Sequence, residues 1–366
     1  MSSRIHYSDI KKAIQIKATK MLARRGETIT LHRKGNVYKD IELSASEIEK
    51  IDAFYSSNFG KKIRYEWHKL YKAYTGNFDE RFLPDYLYSG YIEPKWNSTA
   101  FAIALSDKNL QSLIFFDVNG VRIPQTHVKC INGMLFDGES HEISTDIAAD
   151  LLCGVRDVVI KKTVDTDSGK DVSIHCFETG KDIITGKTIE EIMKILPDNY
   201  VIQEKVRPLK EIADIYDASI NTFRVITYIW NSEFHVAPIA MRLGRNGSRV
   251  DNIHAGGLMV AVHDNGTIGP IAYSVQGDRF DKHPDTGTIF KNIQFDFVDR
   301  LKETAISLHM KIPELGIVSW DLTVDSNGEI VLIEANTRGQ AIWMTQSVHG
   351  VSIFGENTGD ILKSIK

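Results

Sequence analysis

The sequence predicts an α+β fold in two parts, a mainly helical, aromatic-rich region over residues 1–118 and a strand-rich domain over 119–366. Three observations carry this. Residues 8–25 and 44–74 place apolar side chains at helical spacing. Beyond residue 118 the text turns to short strand-like runs separated by tight turns such as Asn132-Gly133. Regular strand–helix–strand units are few there, which favours hairpins with segregated helices over a doubly wound parallel sheet.

Composition sets the outer limits. Of 366 residues, 42% are hydrophobic and 25% charged, the balance of a folded globular chain with one large domain or two moderate ones. Lys and Arg total 44 against 48 Asp and Glu, a net charge of −4 with no basic block, so nucleic acid is not an expected partner. The longest apolar runs, such as 101–105 and 113–116, fall far short of the ~18 residues of a membrane helix, and residues 1–10 are too polar for a signal peptide. Cys130, Cys153 and Cys176 are odd in number and lack CxxC pairing. That usage suits core residues in a reducing compartment, so a cytoplasmic location is expected. Nothing in the sequence specifies an oligomeric state.

The elements follow in order. Ser44 with Glu47 forms a capping box that opens the second helix. A turn-rich stretch over 78–96 is crowded with aromatic residues and reads as a packing module. Segments 126–131 and 134–137 form a hairpin, because Asn132-Gly133 accepts positive φ at both turn positions. Strands at 158–164 and 172–177 flank a loop at 165–170. Gly180 to Thr188 resembles a P-loop but has five residues between its glycines instead of four. Thr188 with Glu191 caps a helix over 188–196, which accounts for Gly-Lys-Thr without phosphate. Further strands fall at 200–206, 223–230, 234–243, 317–324 and 330–334, with a helix over 295–310.

The last two strands read as a hairpin with Ser326-Asn327 at its tip, which sets Asp321 opposite Leu332 and Ser319 opposite Glu334. Side-chain alternation then gives Val318, Trp320, Leu322, Val324, Val331, Ile333 and Ala335 a core face, and puts Asp321, Glu334 and Asn336 on the other. Asp321 and Glu334 become diagonal neighbours about 7–8 Å apart, close enough to share a cation. Magnesium suits such a pair because it takes few protein oxygens and fills its shell with water and phosphate; a solvated hairpin face is the plainer alternative. Lys161, on a strand before the Ser168-Gly169-Lys170 loop, can present an ammonium to phosphates. Arg224 opens one strand and Arg242 closes the next, so two guanidinium groups can clamp a phosphoryl group or stand as ordinary surface arginines. Gly256-Gly257 permits close approach by a ligand or a plain turn.

Together these segments resemble the ATP-grasp superfamily, most closely its branch associated with sugar transfer and polysaccharide biosynthesis. The matching text is Val201-Ile202-Gln203-Glu204, Ser219 through Thr227, Met241-Arg242-Leu243-Gly244, Val250-Asp251-Asn252, Gly256-Gly257, His283-Pro284, Trp320-Asp321 and Glu334-Ala335-Asn336. It covers about residues 119–366, with a weaker likeness at Trp67-His68, Phe82 to Asp85 and Trp96-Asn97. The resemblance implies two α+β subdomains, 119–202 and 203–366, that clasp ATP. It implies Lys161 and the earlier Lys129 on the phosphates, Ser168 and Gly169 in the covering loop, Gln203 and Glu204 at the adenine, and Asn221 among the nucleotide contacts. Asp321, Glu334 and Asn336 would hold two magnesium ions, and Arg224 and Arg242 would face the transferred phosphoryl group. Where the branch often has a Gln-His pair, this sequence has Arg207-Pro208, which leaves Glu211 or Asp214 for the ribose.

The implied activity is that of a ligase that activates a carboxylate as an acyl phosphate for attack by an amine. The expected product is an amide on a sugar or amino sugar destined for a surface polysaccharide. A kinase acting on a hydroxyl, or a non-catalytic nucleotide-binding module, would use the same nucleotide site.

Overall fold

A computed structural model describes residues 7–163 and 172–366. The N-terminal region is helical as expected, with longer and more divided elements. Its first helix runs over Tyr7–Arg33, and the 44–74 segment splits into Ala45–Asn58 and Glu66–Thr75. The break falls at Gly60, whose φ of 79° ends the helix in the left-handed conformation glycine tolerates. The capping box is formed in both directions, with Glu47 N donating to Ser44 Oγ at 3.2 Å and Ser44 N donating to Glu47 Oε2 at 2.7 Å. The region closes with helix Lys108–Phe115.

Among the described residues fifteen strands follow. They are β1 (Val121–Arg122), β2 (Thr126–Ile131), β3 (Met134–Asp137), β4 (Asp157–Lys162), β5 (Val172–Glu178), β6 (Lys181–Asp182), β7 (Tyr200–Glu204) and β8 (Phe223–Trp230), then β9 (Glu233–Val236), β10 (Ile239–Leu243), β11 (Leu258–Val262), β12 (Ala272–Tyr273), β13 (Arg279–Phe280), β14 (Ile317–Val324) and β15 (Ile330–Asn336). A small sheet has the order β3-β2-β7-β4-β5-β6. A large one runs β1-β15-β14-β8-β10-β11-β12-β13, with β9 beside β8. Apart from the short parallel β1–β15 pair, the named ladders are antiparallel, as hairpin-rich text demands. The expected strand over 234–243 is interrupted at Ala237-Pro238, since proline has no N–H for the ladder. β11 gave no sequence signal because every residue in it is buried, so it shows no alternation.

In the small sheet Asn132 and Gly133 both take positive φ, 52° and 80°, and close the expected two-residue hairpin. One face buries Val128, Cys130, Val158, Ile160 and Ile202 against helices Thr145–Leu152 and Ile189–Met193. The Thr188–Glu191 capping box opens the second of these helices. Ladder register puts Lys129, Val201 and Lys161, with Val159 and Gln203, on the opposite face.

The large sheet is covered on both sides. One face packs Phe223, Val225, Trp320 and Leu322 against Phe115 and helix Val298–His309. The other buries Ile226, Tyr228 and Ile317 against Ile51, Tyr55 and Ile92 of the N-terminal region, and Ala240 and Met259 against Trp67, Tyr71 and Tyr74. Arg224, Arg242 and Asp321 lie on this second face by alternation, at the strand ends the helices leave open. Of the cysteines, expected in the core, Cys130 is buried while Cys153 is exposed at the C-terminal end of helix Thr145–Leu152. No helix among the described residues is long and apolar enough to cross a membrane.

Candidate functional site

The β14–β15 hairpin sets the acidic group, and it departs from the expected register twice. Asp325 N donates to Glu329 O at 2.9 Å, so the tip is Ser326-Asn327-Gly328, three residues long, with Gly328 at φ 81°. The ladder then shifts between Asp321 and Leu322, pairing Leu322 with Leu332 but Asp321 with Glu334. One residue in the tip and one in the bulge slide the pairing by two, which preserves parity. Asp321, Glu334 and Asn336 therefore share a face as expected, with Asp321 directly opposite Glu334 instead of diagonal. Between tip and bulge the expectation inverts: Ile330 and Leu332 enter the core, while Ile333 is turned out to line the cavity.

That cavity, of 470 Å³, lies between the two sheets. Lys161, Ile174 and Glu204 line it from the small sheet, and Arg224, Arg242, Asp321, Glu334 and Asn336 from the large one. Arg224 grips Asp321 with two bonds, Nε to Oδ1 at 2.6 Å and an Nη to Oδ2 at 3.1 Å. Arg242 reaches the same Oδ2 at 3.1 Å, and Asn336 Nδ2 donates to it at 3.3 Å. Burial acts to raise the Asp321 carboxyl, but the two arginines and these hydrogen bonds outweigh it and hold it below its ordinary value. Arg242 is itself fixed by Thr222 Oγ1 (2.7 Å) and Asp251 Oδ1 (3.4 Å), and Asp251 accepts in turn from Thr222 N and Oγ1.

Lys161 is buried and donates no hydrogen bond among the described residues. Burial pushes its ammonium down to about 8; Glu334 and Asp321 pull upward, and Lys108 adds to the lowering. Glu204 lines the cavity with its carboxylate held by Arg122 and by Gln125 N. Gln203 lines a smaller adjoining cavity with Lys108 and Lys161, its amide donating to Thr126 Oγ1 at 3.2 Å.

Other expected contacts are not brought to the cavity. Lys129 shares the face of Lys161 but stands two strands away, about 10 Å, and donates to Ser140 Oγ at 3.1 Å. Asn221, at φ 53°, turns its amide onto Tyr216 O, Ser219 Oγ and Gly244 N, so it holds loops together beneath the site. His283 Nε2 meets Gly244 O at 2.8 Å in the same clamp. Asp214 pairs with Lys210 on the short helix Lys210–Ala213, and neither it nor Glu211 lines the cavity; Asp217 does. A Cβ on Gly257 would meet the carbonyls of Leu243, Asn252 and Asp251 at 2.8–3.0 Å, so Gly256-Gly257 serves the chain's own turn. Ser168 and Gly169 lie outside the described residues.

Sequence reasoning missed Lys108, whose Nζ is 2.9 Å from Glu334, together with Arg249, His254 and Arg338 on the cavity wall. A capping Asp107 ahead of Lys108 was the local signal for that helix start, but nothing in it pointed to Glu334.

Residues 88–361, which contain all of these cavity side chains, match the model of the sugar-transfer associated ATP-grasp family. The chain belongs to the sugar-transfer associated ATP-grasp family. No curated protein matches this ATP-grasp chain. It is similar to an N5-carboxyaminoimidazole ribonucleotide synthetase solved with ADP, at 13% identity and TM-score 0.38, over 64% of this chain and 45% of that one. The corresponding Staphylococcus aureus synthetase, also with ADP, gives 12%, 0.38, 68% and 52%. D-alanyl-alanine synthetase A from Vibrio cholerae gives 12%, 0.41, 71% and 64%. The ATP-grasp chain thus spans about half the length of the first two structures.

Proposed function

We propose that this ATP-grasp chain is an ATP- and magnesium-dependent carboxylate–amine ligase that acts through an acyl phosphate and builds an amide on a sugar or amino sugar for a surface polysaccharide. The observation that carries the reading is the convergence, on one cavity, of Lys161 from one sheet with Arg224, Arg242, Asp321, Glu334 and Asn336 from the other. Family membership supports the nucleotide and the link to sugar transfer.

The donor set fits magnesium. Among the described residues no three His, Cys, Asp or Glu side chains converge as a metal site, so a softer, richer site is not on offer. Two carboxylates on facing strands plus an amide two residues on make a sparse oxygen set, and the Glu334 side chain keeps 33% exposure toward the cavity. Asp321, Glu334 and Asn336 would hold the ion, which supplies charge neutralisation at transferring phosphoryl oxygens.

The chain's own residues do the rest. Lys161 presents a desolvated ammonium to phosphate oxygens, where a charge-assisted contact is strongest. Arg242 has Nε and one Nη fixed by Thr222, Asp251 and Asp321, which holds its plane so that the other Nη can meet shifting charge without reorganisation. The two sheets wall the cavity, so an activated mixed anhydride formed there would be shielded on two sides.

Supplying ATP, magnesium and a panel of uronic and amino acids with hydroxylamine as the amine tests this. A hydroxamate from an acid that also supports ADP release is the expected result. A stable phosphoester without hydroxamate would replace the ligase with a hydroxyl kinase.

A further inference from the structure

Lys108 stands where three parts of the fold meet. Its backbone N–H donates to Thr163 O, just past β4, at 3.3 Å. Its helix is pinned to β15 by Gln111, whose amide oxygen accepts from Ala335 N at 3.0 Å and whose Nε2 donates to Ala335 O at 2.8 Å. Ala335 adjoins Glu334, and β4 carries Lys161. The backbone beneath Lys108 is therefore held against both strands that bear the candidate phosphate and metal residues. From there a side chain only 11% exposed reaches Glu334 Oε1 at 2.9 Å and lines the cavity beside Lys161.

Each carboxylate of the candidate metal set thus has an internal counter-ion: Arg224 and Arg242 for Asp321, Lys108 for Glu334. The arginines are planar and anchored, but a lysine is a point charge on a flexible four-carbon stem. A divalent cation that approaches Glu334 meets an ammonium already in contact with it, and two cations at that distance repel. A nucleotide entering with the cation would bring phosphate oxygens into the cavity that the Lys108 side chain lines.

We propose that Lys108, contributed by the N-terminal region, is a further site residue that changes partner: it neutralises Glu334 before loading and contacts phosphate once metal and nucleotide are bound. This rests on Glu334 being a metal ligand. It makes Lys108 a competitor of the bare cation and a supporter of the nucleotide, so removing its charge moves the two affinities in opposite directions. A residue that merely held the fold would weaken both.

The test uses the full chain with Lys108→Met and Lys108→Arg, Mn²⁺ binding followed by electron paramagnetic resonance without nucleotide, and a fluorescent ATP analogue titrated at saturating Mg²⁺. Lys108→Met is expected to bind Mn²⁺ about threefold or more tighter and the nucleotide about tenfold weaker, as befits a lost charge-assisted contact. Lys108→Arg should stay within about threefold of the parent for the nucleotide, since the charge is kept. Weaker binding of both ligands by Lys108→Met, or an unchanged nucleotide affinity, overturns the role of Lys108 while leaving the parent's metal–nucleotide site standing. A parent chain that binds neither Mn²⁺ nor the analogue overturns that site and this inference with it. If Lys108→Met does not fold, Lys108→Gln provides the same neutral comparison.

Discussion

At the scale of single residues, Glu334 and Lys161 make the sharpest demands. Glu334→Gln keeps the side chain's volume and removes the charge facing Asp321 across the hairpin, so turnover should fall roughly a hundredfold or more while the circular dichroism spectrum is unchanged. Activity within about threefold of the parent at saturating magnesium would remove Glu334 from the metal set. For Lys161 the sign of the pH effect is set by burial, which pushes its ammonium to about 8 from an ordinary 10.5. Its phosphate contact is complete below that value and disappears as pH rises through it, so the ATP dissociation constant should climb from about pH 7 to about pH 9.5. Lys161→Met should bind more weakly at about pH 7 and show a flat profile over the same range. The unfolded chain holds the Lys161 proton up to 10.5, so in the window from 8 to 10.5 this lysine makes folding stability rise with pH. That Lys161 would sit on a strand that lines the cavity was legible from its apolar run and the loop that follows. That Asn221 would not line it was invisible, because a positive φ and the amide partners behind it are properties of the closed loop.

At the scale of elements, the β14–β15 hairpin shows how a sequence reading can reach the right face through a wrong register. Alternation supplied the odd–even pattern, but neither the third tip residue nor the bulge has a local signal strong enough to override a two-residue turn. The two shifts cancel in parity, so Asp321, Glu334 and Asn336 were assigned to one face correctly and Val331 and Ile333 were not. Helix Lys108–Phe115 was unread for a different reason: its meaning is a long-range one. Gln111 serves both backbone groups of Ala335 from 224 positions away in the chain. Gln111→Leu leaves a buried N–H and C=O unsatisfied, each costing about 1–3 kcal/mol. Stability in urea should drop by roughly 2–5 kcal/mol from that pair of lost bonds. A midpoint shift equivalent to less than about 1 kcal/mol would mean that water replaces the glutamine.

At the scale of the whole molecule, the first 118 residues are no appendage. Ile51, Tyr55 and Ile92 share one core with Ile226, Tyr228 and Ile317, while Trp67, Tyr71 and Tyr74 share another with Ala240, Met259 and Val348. Aromatic density in this region was readable from sequence as packing, but its partner surface was not, since nothing in residues 44–96 encodes strands far downstream, such as β14, whose Ile317 is bonded to Asn97 from 220 positions away. A chain that starts at residue 119 should therefore lose cooperative unfolding and bind a hydrophobic dye, because it uncovers one face of the large sheet. A sharp thermal transition for that fragment would show the sheet to be self-sufficient. The same arrangement has a consequence for synthesis. Helix Ala45–Asn58 packs beside Ile361 and Leu362, Leu83 is bonded to Gln346, and Lys366 Nζ donates to Ser57 O. Helix Ala45–Asn58 therefore leaves the ribosome well before the segments that complete its packing. At about 5–20 residues per second, the 263 to 309 positions between these bonded partners take on the order of 13–60 s to emerge. Until the strands of the large sheet emerge, a row of Tyr, Trp and Ile side chains lacks the native surface that covers it, and that cover is complete only when the later helices follow, so the nascent chain carries exposed apolar surface in the meantime.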